Sequence, residues 1–158
     1  MTWYKQLLER LSGRGVDYIV IGGVAATAHG SVRMTLDLDI LYSREPANLS
    51  RIVEALTDIH PYLRGAPPGL PFRFDEKTLR NGLNFTFTTD LGDIDLLGQV
   101  AGVGDYPSAL QDSLELEVFG NRLRCFSLDQ LLSSKRAAGR PKDLEVIAEL
   151  EEIEDLEN

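Results

Sequence analysis

Two aspartates stand two residues apart, Asp37 and Asp39, in the run Thr35-Leu-Asp-Leu-Asp-Ile-Leu-Tyr42. Polar and apolar residues alternate strictly through Ile40, which predicts a strand with Thr35, Asp37 and Asp39 on one face. Leu36, Leu38 and Ile40 are expected to face the core. Carboxylates at that spacing lie roughly 7 Å apart along a strand. Two of them can share a magnesium ion, which prefers carboxylate oxygens together with phosphates and water. A second acidic run, Gly92-Asp-Ile-Asp-Leu96, offers one or two more carboxylates by the same alternation. Asp95 is favoured over Asp93 there, because Gly92 puts Asp93 beside a turn. Three converging carboxylates are what a two-metal phosphoryl-transfer site needs.

A strand must deliver these side chains, and the segment before it supplies a second feature. Asp17-Tyr-Ile-Val-Ile21 is apolar and β-branched, reads as a buried strand, and runs straight into Gly22-Gly23 and then a run of helix formers to His29. Two glycines at a strand-to-helix turn let backbone N–H groups approach a ligand, and the helix start favours a phosphate. Taken alone, Gly22-Gly23 also reads as a tight turn, and Asp37 and Asp39 as the solvated face of an edge strand. Their joint order, with a third acidic strand, favours chemistry.

The surrounding elements are plain. Helices are predicted over 2–12 (Trp3, Leu7, Leu8, Leu11 on one side), about 45–59, 127 to about 138, and 143–158 (Leu144, Ile147, Leu150, Ile153, Leu156). Ser127 to Gln130 has the form of a capping box. Residues 61–73, with four prolines and two glycines, read as an irregular loop. Strands are expected at 84–88 and 93–97, and a hairpin at 114–119 and 122–126 across Gly120-Asn121. His29, His60 and Cys125 read as structural, and Arg140 and Lys142 as helix-end or ion-pair residues. The whole, 1–158, is expected to form one mixed α/β domain.

Composition narrows the function. The chain has 158 residues with 16 basic and 25 acidic side chains. Eight of the acidic ones fall in 143–158, so the remaining 17 nearly balance the 16 basic residues. That leaves no clustered basic surface for non-specific nucleic-acid binding. It permits a local positive site for a nucleotide. No run is apolar enough for a membrane span, the start lacks the apolar run of a secretory signal, and one cysteine suits a reducing cytoplasm.

Ile21-Gly22-Gly23, thirteen intervening residues, and Asp37-Leu-Asp39-Ile40 resemble the signature of the polymerase-beta superfamily nucleotidyltransferases. Gly22 to Gly30 followed by Arg33-Met-Thr35-Leu-Asp37-Leu-Asp39 is similar to its small stand-alone group, which includes nucleotidyltransferase toxins of the abortive-infection type. Ile94-Asp95-Leu96-Leu97 resembles the strand bearing the third carboxylate, and the segment from Lys135 to Asp143 the place where a lysine reaches the phosphates. The resemblance spans roughly 17 to 150 and implies a compact fold with a central mixed β-sheet flanked by helices. It implies Asp37, Asp39 and Asp95 as magnesium (or manganese) ligands, with Asp95 as candidate base. Gly22, Gly23, Arg33, Thr35 and Lys135 are implied as nucleotide-binding residues. The implied reaction moves a nucleoside monophosphate from a triphosphate such as ATP to an acceptor hydroxyl, releasing pyrophosphate. Gly23 stands where many members carry serine, which would remove one contact to phosphate. The acceptor, whether RNA, protein or a small molecule, stays open, as does a partner protein or homodimer. So do two other readings: an idle nucleotide-binding or toxin–antitoxin module, and a metal-dependent phosphodiesterase.

Overall fold

Ile19, Val20, Leu38, Ile40, Ile94 and Leu96 are fully buried and form the middle of one seven-stranded sheet. A computed structural model describes residues 2–157. Its strands are β1 (Tyr18–Ile21), β2 (Asp37–Tyr42), β3 (Tyr62–Leu63), β4 (Phe85–Thr89) and β5 (Gly92–Leu97), a small pair β6 (Gln99–Val100) and β7 (Gly104–Asp105), then β8 (Leu114–Val118) and β9 (Asn121–Cys125). The large sheet runs β3-β4-β5-β2-β1-β9-β8. β2 is antiparallel to β1 and parallel to β5, and β1 is parallel to β9, so the sheet is mixed. Every residue of β1 is buried, as expected where both faces of a sheet are covered.

The cover comes from α1 (Tyr4–Gly13), α2 (Gly22–Ala28), α3 (Pro46–Leu56), α4 (Glu76–Asn81), α5 (Tyr106–Leu110), α6 (Leu128–Ala138) and α7 (Asp143–Glu157). α1 packs on α3 and α3 on α4, while α7 packs on α6 and α6 touches α2. This is the mixed α/β sheet with flanking helices that the sequence implies. The capping box forms: Gln130 N donates to Ser127 Oγ at 3.2 Å and Ser127 N to Gln130 Oε1 at 3.0 Å. Ser127→Ala should cost about 1 kcal/mol. A thermal melt checks this, and an unshifted midpoint would show that the box contributes nothing.

Several expectations need correction. Leu36 is 74% exposed rather than buried, because β2 begins at Asp37 and the chain before it lies off the ladder. Trp3 is half-exposed ahead of α1. The stripe on α7 is incomplete: Leu150 is buried, but Leu144 and Leu156 are 68% and 87% exposed. That helix packs chiefly on α6, and Leu144 and Leu156, next to its two ends, stay open to solvent. Residues 61–73 are not wholly irregular, since Tyr62 and Leu63 pair with Thr88 and Phe87. The β8–β9 turn falls on Phe119-Gly120, both at positive φ (48° and 82°), one residue earlier than read. Such a two-residue turn matches the strand twist, and the Phe119 ring stacks on Tyr4 with centroids 5.3 Å apart.

Candidate active site

Adjacent strands put the carboxylates side by side. In the parallel β2–β5 ladder Asp37 pairs with Asp93 and Asp39 with Asp95, so all four lie at one end of neighbouring strands. Asp37, Asp39 and Asp95 each offer an oxygen within 4.8 Å of the others. Like charges opposite one another on a sheet repel. Burial, then the charges of Asp37 and Asp95, push the Asp39 carboxyl up to about 8. Burial, then Asp95, also raises that of Asp37, with Arg64 opposing. Asp39 Oδ1 and Asp95 Oδ1 are buried without a hydrogen-bond partner. Hard oxygen donors with unused lone pairs and excess negative charge fit a divalent cation such as magnesium.

The glycine pair is fixed by the same strands. Asp39 pairs with Ile21, the last residue of β1, so Gly22 follows directly beside its carboxylate. Gly22 sits at φ +65°, and a β-carbon there would run into Asp39 Oδ2. Backbone strain and close approach both demand glycine. Gly22→Ala should lose at least about 1–2 kcal/mol, the left-handed penalty alone. Denaturant unfolding checks this, and an alanine tolerated without loss would refute the close approach. Gly23 meets a different neighbour: its β-carbon would lie 2.7 Å from Thr35 Oγ1. The Thr35 hydroxyl therefore stands beside the place where a serine side chain would branch off.

The other sequence-implied residues gather round this junction. A cleft of about 440 Å³ is lined by Gly22, Asp39, Asp95, Asn84, Gln99, Lys135 and Arg140. A second, of about 140 Å³, is lined by Gly22, Gly23, Arg33, Thr35 and Lys135, so Lys135 lines both. Lys135 Nζ is 3.6 Å from Asp143 Oδ1, and Asp143 is only 2% exposed. Arg140 pairs with the same carboxylate at 2.8 Å, and its hydrogen bonds hold the Asp143 carboxyl below the usual range. Arg33 reaches Glu145 and Glu149 of α7 at 3.6 and 3.5 Å. Thr35 Oγ1 donates to the Asp37 carbonyl at 3.1 Å. Of the residues read as structural, His29 Nε2 is bonded to the Phe126 carbonyl at 2.8 Å, His60 Nδ1 to Asp90 at 2.6 Å, and Cys125 is buried.

Sequence reasoning missed Arg64. It follows β3, and its guanidinium contacts Asp95, Asp93 and Asp37 at 2.7, 3.4 and 3.6 Å. The Asp95 contact is an ion pair too poorly aligned to count as a hydrogen bond. No local pattern marks it, because the segment that carries it is dominated by proline and glycine.

No protein-family model matches the chain, and no curated protein is significantly similar to it. Solved structures are. The chain superposes on a Thermotoga maritima protein provisionally assigned as a nucleotidyltransferase, with a TM-score of 0.60 and 13% identity over 92% of this chain and 88% of that one. It also superposes on the lincosamide antibiotic adenylyltransferase LnuA, solved with lincomycin bound, at 0.62 and 16% identity over 96% and 98% of the two chains. The antibiotic-resistance factor ANT(2'')-Ia gives 0.61 and 16% identity over 97% and 86%. These likenesses cover nearly the whole chain, and its fold is that of the nucleotidyltransferases.

Proposed function

We propose that the chain is a magnesium-dependent nucleotidyltransferase that moves a nucleoside monophosphate from a triphosphate to an acceptor hydroxyl. The observation that carries this is the convergence of Asp37, Asp39 and Asp95 beside a left-handed glycine at a strand-to-helix junction. In this reading the three aspartates hold the metal, and the Gly22-Gly23 backbone, Thr35, Arg33 and Lys135 surround the triphosphate. When bound, the metal supplies neutralising charge at the phosphates and acidifies the acceptor hydroxyl. Asp95 stands ready to accept the hydroxyl proton as the hydroxyl oxygen attacks the α-phosphorus. The bond to the bridging oxygen breaks, and pyrophosphate leaves.

Lys135 is the cation best placed for the phosphates, since Asp143 and the walls of two clefts fix its position. Arg33, held by two glutamates, must loosen at least one pair to serve. The larger cleft has the size of a small-molecule site, which supports a compact acceptor, and one structural relative is by name a lincosamide antibiotic adenylyltransferase and another an antibiotic-resistance factor. A toxin acting on RNA uses the same site and differs only in where the nucleotide ends up.

The test supplies each α-labelled nucleoside triphosphate with magnesium or manganese and total cell extract. Wild type runs beside Asp37→Ala/Asp39→Ala, and label is followed into RNA, protein and small molecules. Label in one fraction with the wild type alone supports transfer and identifies the acceptor class. Triphosphate binding without product would favour an idle or regulatory module. Release of products from nucleic acid without a triphosphate would favour a phosphodiesterase.

A further inference from the structure

Arg64 is the one basic side chain seen in ion-pair contact with the carboxylate cluster among the described residues, and its backbone holds it there. Its N–H donates to the Thr86 carbonyl at 3.0 Å, which continues the β3–β4 ladder. Its side chain then crosses β4, where Nη2 donates to the Phe87 carbonyl at 2.8 Å. Beyond β4 the guanidinium reaches β5 and β2, with Nη2 2.7 Å from Asp95 Oδ1, Nε 3.4 Å from Asp93 Oδ2 and Nη1 3.6 Å from Asp37 Oδ2. Only 29% of the side chain is exposed, so solvent screens these contacts less than those of a surface pair.

We propose that Arg64 is the protein's own counter-ion for the carboxylate cluster, and that a divalent cation must displace it to bind. This rests on the metal reading of the site. Two of the three carboxylates that could ligate the cation, Asp37 and Asp95, are the ones the guanidinium contacts. A guanidinium at ion-pair distance neutralises part of the charge that would attract a metal, and two cations at that distance repel in a partly buried site. Both effects act in one direction. Metal loading is thus an exchange, and the arginine sets the cation concentration at which it happens. The same residue lets four aspartates sit on two adjacent strands before any metal arrives.

The full chain is titrated with Mn²⁺ while the free ion is followed by electron paramagnetic resonance, for wild type, Arg64→Met and Asp39→Asn. Wild type should bind Mn²⁺, Asp39→Asn should lose that binding, and Arg64→Met should bind at least tenfold tighter. In EDTA, Arg64→Met should melt below wild type, and saturating Mn²⁺ should close the gap. A folded Arg64→Met with unchanged or weaker Mn²⁺ affinity overturns the proposal while leaving the metal reading intact. Absence of Mn²⁺ binding in both wild type and Arg64→Met removes the metal reading, and this proposal with it. If Arg64→Met fails to fold, the Arg64 Nε–H resonance of the wild type decides instead. It should shift on saturation with Mg²⁺, and an unmoved resonance overturns the exchange.

Discussion

Asp39→Asn is expected to lower nucleotidyl transfer by about a thousandfold or more, a loss of about 4 kcal/mol of transition-state stabilisation, and at the same time to raise the melting temperature in EDTA. Asparagine keeps the shape of the side chain and removes its charge. The charge is what the fold tolerates poorly: the carboxylate is buried, faces Asp37 and Asp95, and has one oxygen with no hydrogen-bond partner. A residue that destabilises its own fold is the mark of a group kept for its chemistry. Both readouts matter. Transfer that persists in Asp39→Asn would remove the aspartate from the mechanism. A lower melting temperature in EDTA would make its carboxylate structural, an anchor for Gly22 and nothing more.

Stability should also depend on pH in an unusual sense. In the unfolded chain Asp39 releases its proton near the ordinary carboxyl value of 3.8, whereas in the folded protein it holds it until about 8. Between those values the folded state binds more protons than the unfolded one, so without metal the unfolding free energy falls as pH rises. The slope approaches about 1.4 kcal/mol per pH unit from one such group, and the total loss is of order a few kcal/mol. Asp37, also raised, adds in the same direction. Asp143 acts oppositely, because Arg140 holds its carboxyl low, and its contribution is lost only as acid protonates it. The EDTA optimum should therefore be mildly acidic. Saturating magnesium, which binds the deprotonated cluster, should flatten the decline towards pH 8. Denaturant unfolding at pH 5, 6.5 and 8 with and without magnesium measures this. Profiles that stay parallel in the two conditions would mean that no metal enters the cluster.

What the sequence reveals of this site follows the range of the interactions involved. Alternation over 35–42 is a local signal, and it places Asp37 and Asp39 on one face correctly. It fails at Leu36, because alternation does not say where the hydrogen-bonded ladder starts. The glycine pair is legible as a turn, but the reason each position excludes a β-carbon lies in Asp39, on the next strand, and Thr35, in the segment just ahead of it. The pairing of Asp39 with Asp95 is a parallel contact between distant segments, and only tertiary packing sets its register. Arg64 is the extreme case, since a two-residue strand has no periodicity to read. The short helices α4 and α5 are not among the elements expected from the sequence, although each opens on a capping aspartate: Asp75 and Asp105 accept from Thr78 N and Ser108 N.

The segment between α2 and β2 takes its shape from both ends of the described chain. Thr2 Oγ1 donates to the Leu36 carbonyl and Tyr4 to the Thr35 carbonyl, both at 2.5 Å, while Ser31 Oγ donates to Glu149 at 2.6 Å across 118 residues of sequence. During synthesis the glycines and the first two aspartates leave the ribosome well before the helix that grips Ser31 and Arg33, because Glu149 lies 118 residues after Ser31. At ordinary translation speeds that delay is on the order of ten seconds. For that interval the nascent polypeptide carries the acidic strand without the helix that clamps the segment ahead of it. A ribosome stalled before residue 143 would hold the acidic strand and the glycine turn with Ser31 and Arg33 still ungripped.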